Sequence, residues 1–504
     1  MDSTKKNKAG VGTQLLDNDP HDEALHALVG SGGARVEGLA QTYPLVVLGG
    51  GTAGLVTAAA AAGLGTRVLL IERHLLGGDC LNSGCVPSKA LLAAGHKAKQ
   101  CGDALDFSDV MTEMRRKRAA IGKHDSAQRF TELGVDVAFG SAKFTGPKTI
   151  SIGGREISFR RAVVATGGHP FVPPIEGLDD IPVLTSENLF ALQSLPARLV
   201  VLGGGPIGVE MAQAFARLGS SVQLVEMADR ILPREDADAA RLVRGSLERD
   251  GVNISPATGI RAVSRGPDGS LEIALASAGR GETTNLVEAD SLLVAVGRRP
   301  NIEGLGFEKA GVRYDESGVE TDDFLRTTNR RIYAAGDVAR HQKFTHAADF
   351  MARTVVRNAL FGGRARWSDV VVPWATYTDP EVAHVGRPAI EAQQIAANSL
   401  SVWSRDVDRS YLENDDEGFA KVHVDSRGRL LAATVVGRGA GDIIGYFSLA
   451  MQKGMSLSEI ASAMHPYPSR SEIVRKLADA YNRTRLTPTV GRLLSSMIRL
   501  RVGK

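Results

Sequence analysis

Cysteine is scarce: three residues in 504. That excludes the disulfide framework of a small secreted protein. Aromatic residues make up only 5% of the chain, which suits small-residue α/β packing better than an all-β sandwich. Neither sign of charge dominates. Lys and Arg number 60 against 57 Asp and Glu, a net charge of +3, too small to imply a nucleic-acid partner. No apolar run is long; the best, Leu55 to Leu64, is too short for a transmembrane segment. The basic start MDSTKKNKAG lacks the apolar core of an export signal. Together these absences predict a cytoplasmic enzyme. At about 150 residues per domain, the length accommodates roughly three.

What the chain does contain is a long-range repeat. Leu45-Val46-Val47-Leu48-Gly49-Gly50-Gly51 recurs as Leu199-Val200-Val201-Leu202-Gly203-Gly204-Gly205, and each run continues to a third glycine, Gly54 and Gly208. An Ala-rich helical stretch follows each, then a second apolar run ending in an acid, Glu72 and Glu226. A lone G-x-G-x-x-G says little. Here a buried strand, a glycine turn, a helix and an acid about 20 residues on occur together twice, which is the context a pyrophosphate and a ribose need. Two βαβ turns without ligand are the alternative. Two dinucleotide sites are predicted.

Between the units, Ala162 to Gly168 reads as a buried strand ending in a small-residue turn, and Leu292 to Pro300 closes the second unit in the same style. Arg331 to Asp337 is a short strand delivering an acid through a glycine turn. Asp337 could accept from a polyol chain or cap a helix. From about Trp367 strand-like runs (Gly418 to Val424, Leu430 to Gly437) and an amphipathic helix (Ile443 to Lys453) mark a third domain. Residues 1–42, polar and glycine-rich around Ser31-Gly32-Gly33, read as a poorly ordered leader.

After the first unit comes Gly77-Gly78-Asp79-Cys80-Leu81-Asn82-Ser83-Gly84-Cys85-Val86-Pro87-Ser88-Lys89. On a regular helix, residues five apart rise about 7.5 Å and lie about 140° apart. A disulfide needs Cα atoms within about 7 Å, so the pair demands a distorted first turn, which Gly84 and Pro87 permit. A helix N-terminus also favours the thiolate. Beside a dinucleotide site such a pair points to redox chemistry. The alternatives are half a metal site, short of partners because Cys101 is the only other cysteine, or two inert thiols. Cys101 itself reads as an ordinary helix residue.

With these motifs in this order, the chain from about Tyr43 to Thr487 resembles the FAD-containing pyridine nucleotide–disulfide oxidoreductases, which include dihydrolipoamide dehydrogenase, glutathione reductase and mercuric reductase. The resemblance implies an α/β chain with two Rossmann-like domains, for FAD and NAD(P), and a C-terminal α+β dimerisation domain. The corresponding segments are 43–185 and 306–366 for FAD, 186–305 for NAD(P) and 367–504 for dimerisation. By family position Gly49, Gly51, Gly54, Glu72, Thr166, Gly167 and Asp337 would hold FAD. Gly203, Gly205, Gly208, Glu226 and Gly297 would hold the nicotinamide cofactor. Lys89 matches a lysine beside flavin N5, and Glu210 its ion-pair partner. Cys85 would lie against the flavin as charge-transfer thiolate, and Cys80 would be the interchange thiol. Hydride would pass from NAD(P)H to one flavin face, and electrons to the disulfide on the other. Trp374 to Gly386 resembles the start of the dimerisation domain, so a homodimer is implied, with the segment Tyr467 to Glu472 serving the partner's site.

One departure bears on substrate. Disulfide-reducing members carry a His-Pro with a Glu five residues after the His; aligning on Pro468 and Glu472 puts Tyr467, not His465, at the base position. Tyrosine, with an ordinary pKa near 10, is a poor base at neutral pH; a one-turn shift would let His465 substitute. Mercuric reductases share the tyrosine but add a C-terminal cysteine pair, absent here after Cys101. The expected activity is therefore electron transfer from NAD(P)H to a thiol-bound metal or related small acceptor, in the mercuric-reductase-like branch. A dihydrolipoamide dehydrogenase with a substituted base and a low-turnover flavin redox sensor are the alternatives. Glu226 favours NADH by repelling a 2′-phosphate, while Arg230 could partly rescue NADPH. The last 22 residues carry Arg483, Arg485, Arg492, Arg499, Arg501 and Lys504 and no acid, with Leu493, Leu494, Met497 and Ile498 in one stripe. A packed terminal helix is expected there, ahead of a membrane-surface one.

Overall fold

A computed structural model describes residues 12–31, 38–102, 105–277 and 283–503. The described chain forms two compact units, residues 1–230 with 250–370, and residues 231–249 with 371–504.

In the first unit the apolar run of the first repeat becomes the strand Thr42–Leu48, paired in parallel with Val68–Glu72 and Arg155–Val164. Val135–Phe139 extends the sheet on one side and Ile332–Ala334 on the other, both parallel. The strand residues Val46, Val47, Leu69, Leu70, Val163 and Val164 are all fully buried, as the strands of a parallel sheet generally are. The second repeat builds the same arrangement. Arg198–Leu202 lies between Ser221–Val225 and Ser291–Val294, with Asn253–Ser255 outside them, all parallel. Both glycine turns thus open at the carboxyl end of a central strand, where α/β sheets take their ligands.

The second unit is an antiparallel sheet in the order Pro373–Thr376, Val382–Gly386, Leu430–Val436, Phe419–Val424, Asn398–Trp403. The helices Ala440–Gln452 and Glu472–Arg485 supply Phe447 and Leu477 to its core. The helix Ala237–Arg249 belongs to this unit. Just before it, Glu235 accepts from the Trp374 indole N–H at 2.7 Å, and Asp236 pairs with Lys421 at 2.9 Å.

Two expectations need correction. Part of the supposed leader is folded: Pro20–Val29 is a helix capped by Asp19, whose carboxylate accepts from the amides of His21 and Asp22. Asp22, Leu25 and Val29 share one helix face and are buried, Asp22 in a 2.5 Å ion pair with Arg118. The composition of residues 1–42 masks this short amphipathic pattern. Gly32 and Gly33 lie outside the described residues.

The basic C-terminus is the second. Pro488–Val502 is a helix, with Pro488 in its first turn and the Thr487 hydroxyl capping Val490 N–H, but none of its residues is buried. Its apolar stripe does not pack within this chain. Among the described residues, no helix is long and apolar enough to cross a membrane.

Candidate active site

Each glycine turn has a shape that side chains would block. Gly49 and Gly203 take φ of +103° and +111°, a region favouring glycine. A Cβ on Gly54 would meet the Gly49 carbonyl oxygen at 1.8 Å, and one on Gly208 the Gly203 carbonyl at the same distance. Gly51 and Gly205 begin the helices Thr52–Gly63 and Pro206–Arg217 without a side-chain cap, which leaves N-terminal amides for an anion. In the first site a Cβ on Gly78 would come within 2.6 Å of Gly51 Cα. This glycine-lined cradle fits a dinucleotide pyrophosphate.

The two acids are held alike. Glu72 accepts from Gly50 N–H at 2.6 Å and His74 N–H at 2.8 Å; Glu226 accepts from Gly204 N–H at 2.6 Å and Ala228 N–H at 2.7 Å. Burial raises the Glu72 pKa, and those two amides pull it back. Each carboxylate therefore braces its own glycine turn at the place a ribose would reach.

One cavity of the first unit gathers Gly49, Gly51, Glu72, Cys80, Cys85, Lys89, Thr166, Gly167, Glu210 and Asp337. Two dinucleotide-fold features converge there with the cysteine motif. The distortion expected between the cysteines is present: Cys80 sits on the short helix Gly78–Asn82, and Cys85 opens Cys85–Cys101, with Gly84 between them in a non-helical conformation. This break supplies the distortion that a close pair requires. The two thiols lie close enough to perturb each other's proton affinity. Cys101 ends its helix, exposed.

The thiols are electrostatically unequal. Interaction with the Cys80 thiol lowers the Cys85 pKa to about 6, helped by the Thr345 hydroxyl, 3.3 Å from its sulfur, and by the charge of Lys89. The same interaction, together with burial, raises the Cys80 pKa. Lys89 Nζ donates to the buried Glu210 carboxylate at 2.8 Å, joining the cysteine helix to the helix of the second repeat.

Asp337 follows the strand Ile332–Ala334 through Gly336, and burial raises its pKa while Arg298 opposes the shift. It does not cap the next helix, Thr345–Phe361, whose N-cap is Phe344. Thr166 and Asn301 exchange side chain-to-backbone hydrogen bonds, both at 2.8 Å, and Gly167 and Gly297 take positive φ.

Sequence reasoning missed Thr345 and Arg298. Arg298 donates to the Asp79 carboxylate, donates to the Gly168 carbonyl at 2.8 Å and lies 3.7 Å from Asp337. It therefore ties three cavity walls together. The sole signal for Thr345 was its place at the start of an amphipathic run.

In the second unit Tyr467 is 70% exposed, and its hydroxyl donates to Asp408 at 2.9 Å, which raises its pKa. Burial lowers the His465 pKa; its Nε2 has no hydrogen-bond partner, and its ring packs on Tyr446. Glu472 is buried at the start of the helix Glu472–Arg485, with Oε1 held by Arg475 at 2.7 Å and Oε2 unpaired. Neither His465 nor Tyr467 hydrogen-bonds Glu472, so no base–carboxylate pair forms within one chain.

Comparison with known proteins agrees with this arrangement. Residues 43–352 match the pyridine nucleotide-disulphide oxidoreductase family, and residues 372–478 its dimerisation domain. A mercuric reductase of Streptomyces lividans is 34% identical over 464 residues, covering 87% of this chain and 96% of the relative. A mitochondrial dihydrolipoyl dehydrogenase of Dictyostelium discoideum is 33% identical over 472 residues, covering 87% and 94%. The Cu(II) complex of the HOCl-induced flavoprotein disulfide reductase RclA from Escherichia coli superposes with a TM-score of 0.79 at 29% identity, covering 88% of this chain and all of that one. The chain is a class I pyridine nucleotide–disulfide oxidoreductase, of the FAD-dependent, NAD(P)H-using family, with that family's homodimerisation domain.

Proposed function

We propose that this enzyme passes electrons from NADH through FAD at the first repeat and the Cys80–Cys85 pair to a thiol-bound metal ion. The observation that carries the choice of acceptor is the hydroxyl of Tyr467, held by Asp408 where a disulfide-reducing member needs a base. With its pKa raised, Tyr467 keeps its proton at neutral pH. Turned from Asp408, its single O–H can donate to a metal-bound thiolate, and it is poorly suited to deprotonating a dithiol. The mercuric reductase relatives and the Cu(II) complex of the structural neighbour support a metal acceptor.

Bound FAD would supply the relay that turns a hydride from the nicotinamide into an electron pair at sulfur. The chain's own groups do the rest. Gly49, Gly51, Gly54 and Glu72 hold the adenosine half, with Thr166, Gly167 and Asp337 along the remainder. Gly203, Gly205, Gly208, Glu226 and Gly297 hold the nicotinamide cofactor, where the Glu226 carboxylate favours a free 2′-hydroxyl. Lys89, fixed by Glu210, sets a cation beside the redox centre. Two electrons and one proton open the Cys80–Cys85 disulfide to a thiolate at Cys85 and a thiol at Cys80, and Cys80 meets the acceptor. Tyr467, Glu472 and His465 complete the site from the partner subunit.

Lipoamide reduction is the second reading, favoured by the unpaired His465 Nε2, which a shift in trans could present as a base. Parallel assays of NADH oxidation, with Hg(II) in excess thiol and with lipoamide, decide between them. Fast metal-dependent turnover with little lipoamide activity supports the proposal; the reverse result replaces it with the His465 reading.

A further inference from the structure

The helix Pro488–Val502 follows the packed helix Glu472–Arg485 and is the last element of the fold. Its capping threonine and its proline at the first turn mark a helix with a defined start. Yet Leu493, Met497 and Ile498 are 62%, 49% and 61% exposed, and Leu500 is 87% exposed. Such an apolar face is stable in water only when something covers it.

At about 100° per residue, Val490, Leu493, Leu494, Met497, Ile498, Leu500 and Val502 occupy an arc of about 200°. A helix seated in a protein groove generally shows a narrower stripe, whereas half a cylinder suits a plane. Arg492 and Arg499 fall within about 20° of the pole opposite that arc. Arg501 lies on the apolar side in the last turn, where its long stem can carry the charge back to an aqueous boundary.

Among the described residues, none of these three arginines forms an ion pair, and no acid occurs from Arg483 to the last residue. A second copy packed arc to arc would close Arg501, near the centre of the apolar arc, into the seam, and the helix carries no acid to pair it. The charge calls for an extended anionic surface.

We propose that Pro488–Val502 lies flat on an anionic lipid surface, with its apolar arc in the acyl boundary and Arg492 and Arg499 toward the headgroups. The enzyme would then be held at the membrane surface by this helix. The inference stands on this helix alone and holds whichever acceptor the redox centre serves.

The test is flotation of the full-length FAD-loaded dimer with vesicles of phosphatidylcholine alone and with vesicles containing phosphatidylglycerol. The holoenzyme should float with the anionic vesicles and remain behind with the neutral ones. Each arginine near such a surface is worth about fivefold in partition. Arg492→Gln with Arg499→Gln should therefore weaken binding roughly 25-fold, and Leu493→Glu with Ile498→Glu should abolish it. Both double variants should keep wild-type turnover with a soluble acceptor, which shows that they fold. Absence of flotation with anionic vesicles overturns the proposal, as does equal binding to neutral ones. So does a shift from dimer to monomer in the Leu493→Glu/Ile498→Glu variant, which would make a second copy the occupant of this face.

Discussion

The buried pair Asp22–Arg118 is the sharpest place to test the architecture around the redox loop. Both side chains are wholly buried and 2.5 Å apart. The other Asp22 oxygen accepts from Leu16 N–H at 2.9 Å, and Arg118 also donates to the Asn82 carbonyl, between the two cysteines, at 2.9 Å. Arg118 Nε has no partner, so the guanidinium has no spare acceptor to turn to. Asp22→Asn keeps the volume and removes the charge, leaving a buried cation uncompensated, at a cost of about 3–5 kcal/mol. That cost falls on the docking of residues 12–31, which Asp22–Arg118 and Asp19–Arg115 (2.8 Å) together tie to the helix Phe107–Gly122. At 1.4 kcal/mol per tenfold, native-state amide exchange in the helix Pro20–Val29 should accelerate by roughly 10²–10³. Replacing both partners, Asp22→Leu with Arg118→Met, should recover most of the loss, because no charge is then stranded. Exchange unchanged in Asp22→Asn would refute the docked helix. A double variant as loose as the single one would refute the stranded-charge reasoning.

Further outcomes follow from the same geometry. With its pKa lowered to about 6, Cys85 holds a thiolate at neutral pH and loses it as the pH falls through that value. Alkylation of the flavin-free reduced protein by iodoacetamide, mapped by mass spectrometry, should modify Cys85 first with a half-point near pH 6, and Thr345→Val should move that half-point upward. A Cβ on Gly54 would lie 1.8 Å from the Gly49 carbonyl, so Gly54→Ala should leave the protein without bound flavin, read from its visible spectrum. Glu226→Ala removes the brace on Gly204 N–H and the proposed ribose acceptor; kcat/KM for NADH should fall about 10- to 100-fold, an interaction of about 1.5–3 kcal/mol for a charged hydrogen bond. Wild-type enzyme should prefer NADH, and a higher kcat/KM with NADPH would overturn that preference.

Much of this centre could be read from residues because its chemistry is local. The two glycine turns and their acids are each compressed into about 25 residues, so strand, turn, helix and carboxylate declare one another. The break between Cys80 and Cys85 was likewise signalled by Gly84. What the chain order hides is the long-range closure. Thr345 stands 260 residues from the sulfur it approaches, and Arg298 reaches Asp79 from another part of the fold, so no spacing rule points to either. The helix Pro20–Val29 was missed for a different reason: three buried positions in a polar, glycine-rich segment vanish when composition is averaged. At Pro488–Val502 the opposite holds. Amphipathic spacing correctly foretold a helix and an apolar face, but spacing carries no information about whether the same chain supplies the cover.

The central claim is that Cys80 and Cys85 store electrons between the nucleotide and the acceptor. Anaerobic titration of the oxidised FAD-loaded enzyme with NADH tests it most directly. Uptake should come in two stages totalling four electrons per subunit, with a long-wavelength charge-transfer band after the first two, and Cys85→Ser should take up two electrons without that band. Wild-type enzyme saturating at two electrons, or a band that survives in Cys85→Ser, would contradict it.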